Sequence, residues 1–303
     1  MITKKILKRL RVASGEKVRL KDYSPSWAAI PELSALDSEG VEQQAREVLA
    51  RNVEELEASQ ELLWANDVWS VLVILQAMDT AGKDSVIKHV MSGLNPQGCH
   101  VVGFKRPSEE ELDHNFLWRY MKALPERGKI GIFNRSHYEE VLVVRVRGEV
   151  LERQRLPPGK RDQRFWKQRY DDINRFERHL VRNGTVVLKF FLHISQEEQR
   201  RRLLQRLKNP RKQWKFEVGD LAERARWDDY MEAYEDALSA TSTRWAPWHV
   251  IPADHKWTAR ALVGALLAHA LSKLALKTPS VAESDLKAFV TARRQLEREA
   301  RER

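Results

Sequence analysis

Trp69-Ser-Val-Leu-Val-Ile-Leu75 runs directly into Gln76-Ala-Met-Asp-Thr-Ala-Gly-Lys-Asp-Ser85, and this junction decides the fold. The first half is a continuous apolar run rich in β-branched residues, as in a strand buried on both faces of a parallel sheet. The second half opens a helical pattern over residues 83–92. A loop between such a strand and helix points backbone N–H groups and the positive end of the helix dipole at one spot, which suits phosphate. Gly82 lets the backbone close around an anion, and Lys83 adds a mobile full charge. Against the pattern G-x-x-x-x-G-K-[ST], Ala77 stands for the first glycine and Asp84 for the Ser/Thr. Thr80, Ala81, Gly82 and Lys83 are therefore the candidate phosphate contacts.

Two acids sit in this anion site, Asp79 in the loop and Asp84 after the lysine. Both would repel phosphate unless a cation intervened, so they imply bound Mg²⁺, with Mn²⁺ as a substitute. The plainer alternative is a turn cap at Asp79 and an acid favoured by the helix dipole at Asp84.

The same alternation continues outward. Segments 99–104, 129–133, 186–194 and 248–251 read as strands. Segments 40–65, 109–123, 137–146, 163–182, 196–208, 221–239 and 258–274 read as helices. Strands alternating with helices predict an α/β fold with a mainly parallel sheet covered by helices on both faces. Residues 1–40 look mixed, and 285–303 form a charged helix with a thin apolar stripe of Leu286, Phe289, Val290 and Leu296. That stripe reads as a docking or oligomer contact.

Composition sets the bounds. The chain has 303 residues, 53 Lys+Arg against 43 Asp+Glu, and one cysteine, Cys99, which excludes an intrachain disulfide. No apolar run is long enough to cross a bilayer and no secretion signal is evident, so the expected location is cytoplasmic. A net charge of +10 points to a polyanionic partner if the cations cluster. They do. One group runs from Arg145 to Arg169, and another holds Arg200, Arg201, Arg202, Arg206, Lys208, Arg211, Lys212 and Lys215. Leu203, Leu204 and Leu207 would form the inward stripe of that second helix, with Arg202 and Arg206 sharing one face. A long polyanion accounts for the surplus better than a single nucleotide. Trp166, Trp214 and Trp227 lie among these charges as core or cation–π residues.

A second site segment is Lys129-Ile-Gly-Ile-Phe-Asn-Arg-Ser-His-Tyr-Glu-Glu140. Ligands gather at the carboxyl ends of strands in open α/β sheets, so the corner at Asn134 should face the phosphate loop. Asn134 offers a neutral oxygen to a metal, Arg135 a clamp on phosphoryl oxygens, and Glu139 lies one helical turn on.

With these pieces in hand, the sequence resembles the family-2 polyphosphate kinases. The matching stretches are QAMDTAGKDSVIKHVMSGLNPQG at 76–98, FKRPS at 104–108, IFNRSHYEEVLVVRV at 132–146 and WDDYMEAYEDALSATSTRWAPWHVIPADHKWTAR at 227–260. The resemblance implies a P-loop kinase-like three-layer α/β/α sandwich with a helical lid at about 196–226, and a kinase domain over 1–277 followed by a helical extension over 278–303. It implies Mg²⁺-dependent phosphoryl transfer from inorganic polyphosphate to nucleotides by a homodimer or homotetramer. By position, Asp79, Lys83, Arg135 and Glu139 fall in the catalytic set, and Asp79, Asp84 and Asn134 in the metal set. Asp84, Asn134, Arg135 and Glu139 fall in the nucleotide set. Lys88, Arg106, Arg202, Arg206 and Lys212 join the loop as phosphate and polyphosphate contacts. Asp84, Asn134 and the segment 91–98 resemble the subgroup that takes AMP as well as ADP, while guanine nucleotides stay open as acceptors. Two rival readings are an ATP-dependent nucleotide kinase and a basic nucleic-acid-binding protein; acids in the anion site argue against the second.

Overall fold

The computed structural model of the chain describes residues 3–33 and 37–300. Five strands form one wholly parallel sheet: β1 (Ser70–Gln76), β2 (Cys99–Gly103), β3 (Ile130–Asn134), β4 (Thr185–His193) and β5 (Trp248–Pro252), in the order β2-β3-β1-β4-β5. All five expected strands are present within a residue or two at each end.

Every residue of β1 is buried, so both faces of the sheet centre must be covered. Helices do this in two groups; those of eight or more residues are α1 (Ser38–Asn66), α2 (Lys83–Val90), α3 (Gln163–Arg182), α4 (Gln196–Lys208), α5 (Trp227–Thr241), α6 (Lys256–Ser272) and α7 (Glu283–Glu299). Helices α1, α2 and α6 pack together, while α3 packs on β4 and against α5. Helix α6 is apolar almost all round, with Ala259, Leu262, Val263, Leu266, Leu267 and Leu271 buried, as expected of a helix between α1 and the sheet. The chain builds from β1 to one side of the sheet and then to the other, which opens a crevice at the carboxyl ends of the central strands.

Several helical expectations are corrected. The span 109–123 is two short turns, Glu109–Leu112 and Trp118–Met121; Asn115 interrupts them by accepting the Leu117 N–H on its side chain. The span 137–146 is a 3₁₀ turn (His137–Val141) followed by one α turn (Val143–Val146), broken at Leu142 with φ −111° and ψ −85°. The span 221–239 divides at Arg226 into Gly219–Ala225 and α5. Residues 1–40 hold a helix, Lys4–Leu10, whose exit bridges Arg11 to His249 on β5. In α4 the inward residues are Gln199, Arg202 and Leu203, whereas Leu204 and Leu207 are exposed. Helix α7 buries none of its residues, and its apolar stripe is open to solvent; 301–303 of the expected extension lie outside the described residues. No helix among the described residues is long and apolar enough to cross a membrane.

Candidate active site

The phosphate-type loop leaves β1 at Gln76 and enters α2 at Lys83. It turns twice through left-handed backbone, at Thr80 (φ 65°) and at Gly82 (φ 116°). At Gly82 the conformation, not crowding, demands glycine, since an added Cβ would meet nothing closer than 3.9 Å. Gly82 is the N-cap of α2 and supplies no side-chain cap, so the first amides of the helix are left for an external acceptor. Lys83 Nζ donates to Ala77 O across the loop at 2.8 Å.

The end of β3 supplies the facing wall. Arg135 takes φ 66°, and its N–H donates to Leu75 O at 3.1 Å. Its guanidinium thereby reaches across to the loop, where Nη2 donates to Asp79 Oδ1 at 3.1 Å. The following 3₁₀ turn presents Glu139, whose Oε1 accepts from Gln76 Nε2 at 2.9 Å. That turn is anchored from behind. Tyr138 OH donates to Glu177 Oε1 at 2.8 Å, and Lys189 Nζ donates to Glu177 Oε2 at 2.6 Å, to Tyr138 OH and to Thr241 O, all fully buried.

Asp79, Lys83, Arg135 and Glu139 therefore converge as alternating charges. Glu139, then Asp79, hold the Arg135 guanidinium above its ordinary pKa in spite of burial. Burial, then the Arg135 charge, push the Lys83 ammonium down, with the three nearby carboxylates opposing. A bound polyanion would raise the Lys83 ammonium again and favour the Arg135 charge further. Asp84 is mostly exposed; it accepts from Asn134 Nδ2 at 2.8 Å and lies 3.8 Å from Lys215 Nζ.

Beside this quartet opens a cavity of about 360 Å³ lined by Asp79, Arg106, Arg135, Glu139, Tyr230 and Tyr234, among others. Its far wall is the segment carrying Asp220 and Glu223. The donor chemistry suits a hard divalent cation. Burial and then the Asp79 charge hold the Asp220 carboxyl above its usual range, and its Oδ2 is buried without a hydrogen-bond partner. Among the described residues no group of three or more His, Cys, Asp or Glu forms a ready-made cage. Mg²⁺ shared between one or two carboxylates and substrate phosphates needs none.

The remaining expected residues are dispersed. Arg106 reaches the cavity wall. Lys88 is exposed in the last turn of α2. Arg206 donates to Lys215 O at 3.2 Å and lies 3.6 Å from Asp220. Lys212 is exposed and, with Arg202 and Arg260, depresses the pKa of Lys256, for which burial is the larger cause. Arg202 is not an open cation. It is 4% exposed, and each of its N–H-bearing nitrogens is engaged: Nε with Glu198, Nη1 with Thr80 O and Ala81 O, Nη2 with Ala253 O and Asp254 O. Trp214 is solvent-exposed with Lys215 Nζ 5.0 Å from its ring centre, whereas Trp166 and Trp227 pack against the core.

Sequence reasoning missed Gln76, Tyr230, Tyr234, Lys256 and Arg260. The tyrosines carried a signal, an i, i+4 pair on one face of α5. Arg260 donates twice to Ser85 Oγ, at 3.1 and 2.7 Å, in the first turn of α2.

A parallel sheet in this order, with a glycine-hinged loop and lysine at the end of its central strand, defines a P-loop kinase-like α/β protein. Within that class the chain belongs to the polyphosphate kinase 2 family, whose model, described as Polyphosphate kinase 2 (PPK2), matches residues 39–279. It is 46% identical over 290 residues to an ADP-polyphosphate phosphotransferase of Rhodopseudomonas palustris, covering 95% of this chain and 98% of that one. It is 46% identical over 273 residues to an AMP/ADP-polyphosphate phosphotransferase of Meiothermus ruber, covering 90% and 96%. The crystal structure of polyphosphate kinase 2 from Arthrobacter aurescens TC1 superposes with a TM-score of 0.82 at 41% identity, covering 94% of this chain and 96% of that one.

Proposed function

We propose that the chain transfers the terminal phosphoryl group of inorganic polyphosphate to AMP and ADP. The observation that carries this reading is the meeting of Arg135 with Asp79 beside Lys83, at the mouth of a helix without a side-chain cap. The relatives' activities and the surplus of cations around the loop support the choice of donor and acceptor.

In this reading the polymer approaches along Lys212, Lys256 and Arg260, with Lys88 and Arg206 at the margins. Its terminal phosphoryl group rests on Lys83 and the loop amides of Thr80 and Gly82. The nucleotide occupies the cavity beside Tyr230 and Tyr234. Arg106 and Arg135 hold the phosphates in line, Glu139 and Asp79 orient Arg135, and Asp84 with Asn134 border the acceptor. An acceptor phosphate oxygen forms the new P–O bond as the bridging P–O bond of the polymer breaks, leaving polyphosphate one unit shorter. That oxygen is already anionic near neutral pH, so alignment and electrostatics suffice without a strong base. Mg²⁺, or Mn²⁺ in its place, held by Asp79 and bordered by Asp84 and Asn134, supplies charge neutralisation at the phosphoryl oxygens.

The proposal extends to a kinase unit over 1–277 with a helical lid at about 196–226, a separate helical extension, a homodimer or homotetramer, and a cytoplasmic location. The deciding experiment mixes purified protein with AMP or ADP, polyphosphate and Mg²⁺ and follows ADP and ATP. Product only when ATP replaces polyphosphate as donor would mark an ordinary nucleotide kinase. No product with either donor, together with salt-sensitive binding to nucleic acid, would mark a binding protein.

A further inference from the structure

Helix α4 grips the phosphate loop by its carbonyl oxygens. Gln199 Nε2 donates to Asp79 O at 3.2 Å, and Arg202 Nη1 donates to Thr80 O at 3.0 Å and Ala81 O at 2.9 Å. Both side chains are almost wholly buried, at 1% and 4% exposure. The other end of the Gln199 amide is fixed by Arg224, which donates to its Oε1 at 2.8 Å, so its nitrogen is left to face the loop. Arg202 also ties in the exit of β5, through Ala253 O at 2.7 Å and Asp254 O at 2.9 Å.

A trans peptide is planar and its C=O and N–H point in opposite directions. Holding the carbonyls of Asp79 and Ala81 toward α4 therefore turns the N–H groups of Thr80 and Gly82 away from it. The Ala81 N–H closes the turn onto Met78 O at 3.3 Å. Thr80 sits at φ 65°, a strained conformation for a β-branched residue that persists only where its surroundings over-determine it.

We infer that Gln199 and Arg202 are positioning residues that hold the loop's amides toward the transferring phosphoryl group, and that Arg202 is not a ligand of polyphosphate. The inference rests on the loop being the phosphoryl site, as proposed above. Lysine cannot replace Arg202, because one ammonium with three donors cannot supply the five hydrogen bonds that the guanidinium makes.

Two measurements on the full-length protein test it. In the absence of substrate, hydrogen exchange of a peptide covering residues 77–84 is compared with one covering β4 for the parent, Arg202→Lys and Gln199→Met. The expected result is exchange at least about tenfold faster in 77–84 with β4 unchanged, the free-energy order of one lost buried hydrogen bond. In transfer assays with short and long polyphosphate, kcat falls by roughly 10–100-fold to the same extent for both lengths, with donor KM within about threefold. Unchanged loop exchange in the folded variants overturns the inference. A preserved kcat with donor KM rising more for the longer polymer also overturns it and makes Arg202 a ligand. If Arg202→Lys does not fold, Gln199→Met, which leaves Arg202 in place, decides alone. Should the parent transfer no phosphate, the functional reading fails, while the exchange comparison still decides whether α4 positions the loop.

Discussion

Asp79 and Arg135 meet at 3.1 Å although 56 residues separate them. Each lies at or beside a left-handed backbone position: Thr80, next to Asp79, has φ 65° and Arg135 itself has φ 66°. Such conformations typically disfavour the fold by about 1–3 kcal/mol each for residues with a Cβ. The surroundings hold both in place, through Arg202 on the carbonyls of the loop and through Leu75 O on the Arg135 N–H. An ion pair that needs two strained residues to form points to chemistry rather than to stability.

Asp79→Asn and Arg135→Ala should therefore separate activity from stability. The side chains are 27% and 43% exposed, and a partly solvated pair of this kind contributes about 0–1 kcal/mol. The urea midpoint should barely move. Turnover should fall by roughly 10²–10³-fold, as when a preorganised charge donor is removed from a transition state. Steady-state kinetics and urea titration of the same preparations check both halves. A near-normal kcat in either variant removes that residue from the mechanism.

The basic patch at the start of α6 gives a different signature. Lys256→Ala should raise KM for long polyphosphate on the order of tenfold, the loss of one charge-assisted contact. KM for the nucleotide should stay within about twofold, because Lys256 lies outside the cavity wall. Arg260→Ala should add a stability loss, since it also removes two hydrogen bonds to Ser85. Equal changes in both KM values would contradict a separate polymer path.

The sheet and the quartet were legible because the signals are local. An apolar strand, a glycine and a lysine at fixed spacing declare the loop, and the strand ending at Asn134 declares the facing corner. Helix α4 was misread for the opposite reason. The apolar pattern of Leu203, Leu204 and Leu207 predicts which face turns inward only if the neighbour is apolar. The neighbour is a loop of backbone carbonyls, so Gln199 and Arg202 go inside and two leucines stay out. No helical period can announce an acceptor contributed by residues 79–81. Gln76 was missed for a similar reason, since its partner Glu139 sits 63 positions later.

The anchor behind Glu139 should be fragile to single changes. Lys189 and Glu177 are both fully buried. Burial works against the Glu177 carboxylate, but Lys189 and His137 pull its pKa below the usual range. Lys189→Met leaves that buried carboxylate without its ammonium partner and should destabilise the fold by roughly 3–5 kcal/mol. The double replacement Glu177→Leu with Lys189→Met should lose less than Lys189→Met alone, as removing both charges leaves no unpaired ion. Urea unfolding of the set checks this, and an additive double variant would show that the two residues do not act as a pair.

Acid should weaken the fold through two buried histidines. Burial is the main cause that pushes His193 and His249 down to about 4 from an ordinary 6.5, with Arg11, Lys189 and Lys273 adding to it at His249 and Asp254 opposing it at His193. Above pH 6.5 both are neutral in the folded and unfolded chain alike, and their contribution is complete. As pH falls from about 6.5 toward 4 the unfolded chain takes up protons that the folded chain refuses, so stability declines. Below about 4 both states are protonated and the decline from these groups ends. A shift of this size corresponds to roughly 3 kcal/mol per histidine when fully developed. Urea midpoints at pH 7 and pH 5 should therefore differ markedly in the parent. His249→Gln should reduce that difference, leaving the part due to His193, because glutamine can offer a hydrogen bond to Lys189 O without titrating. An equally steep fall in His249→Gln would assign the acid sensitivity to other groups.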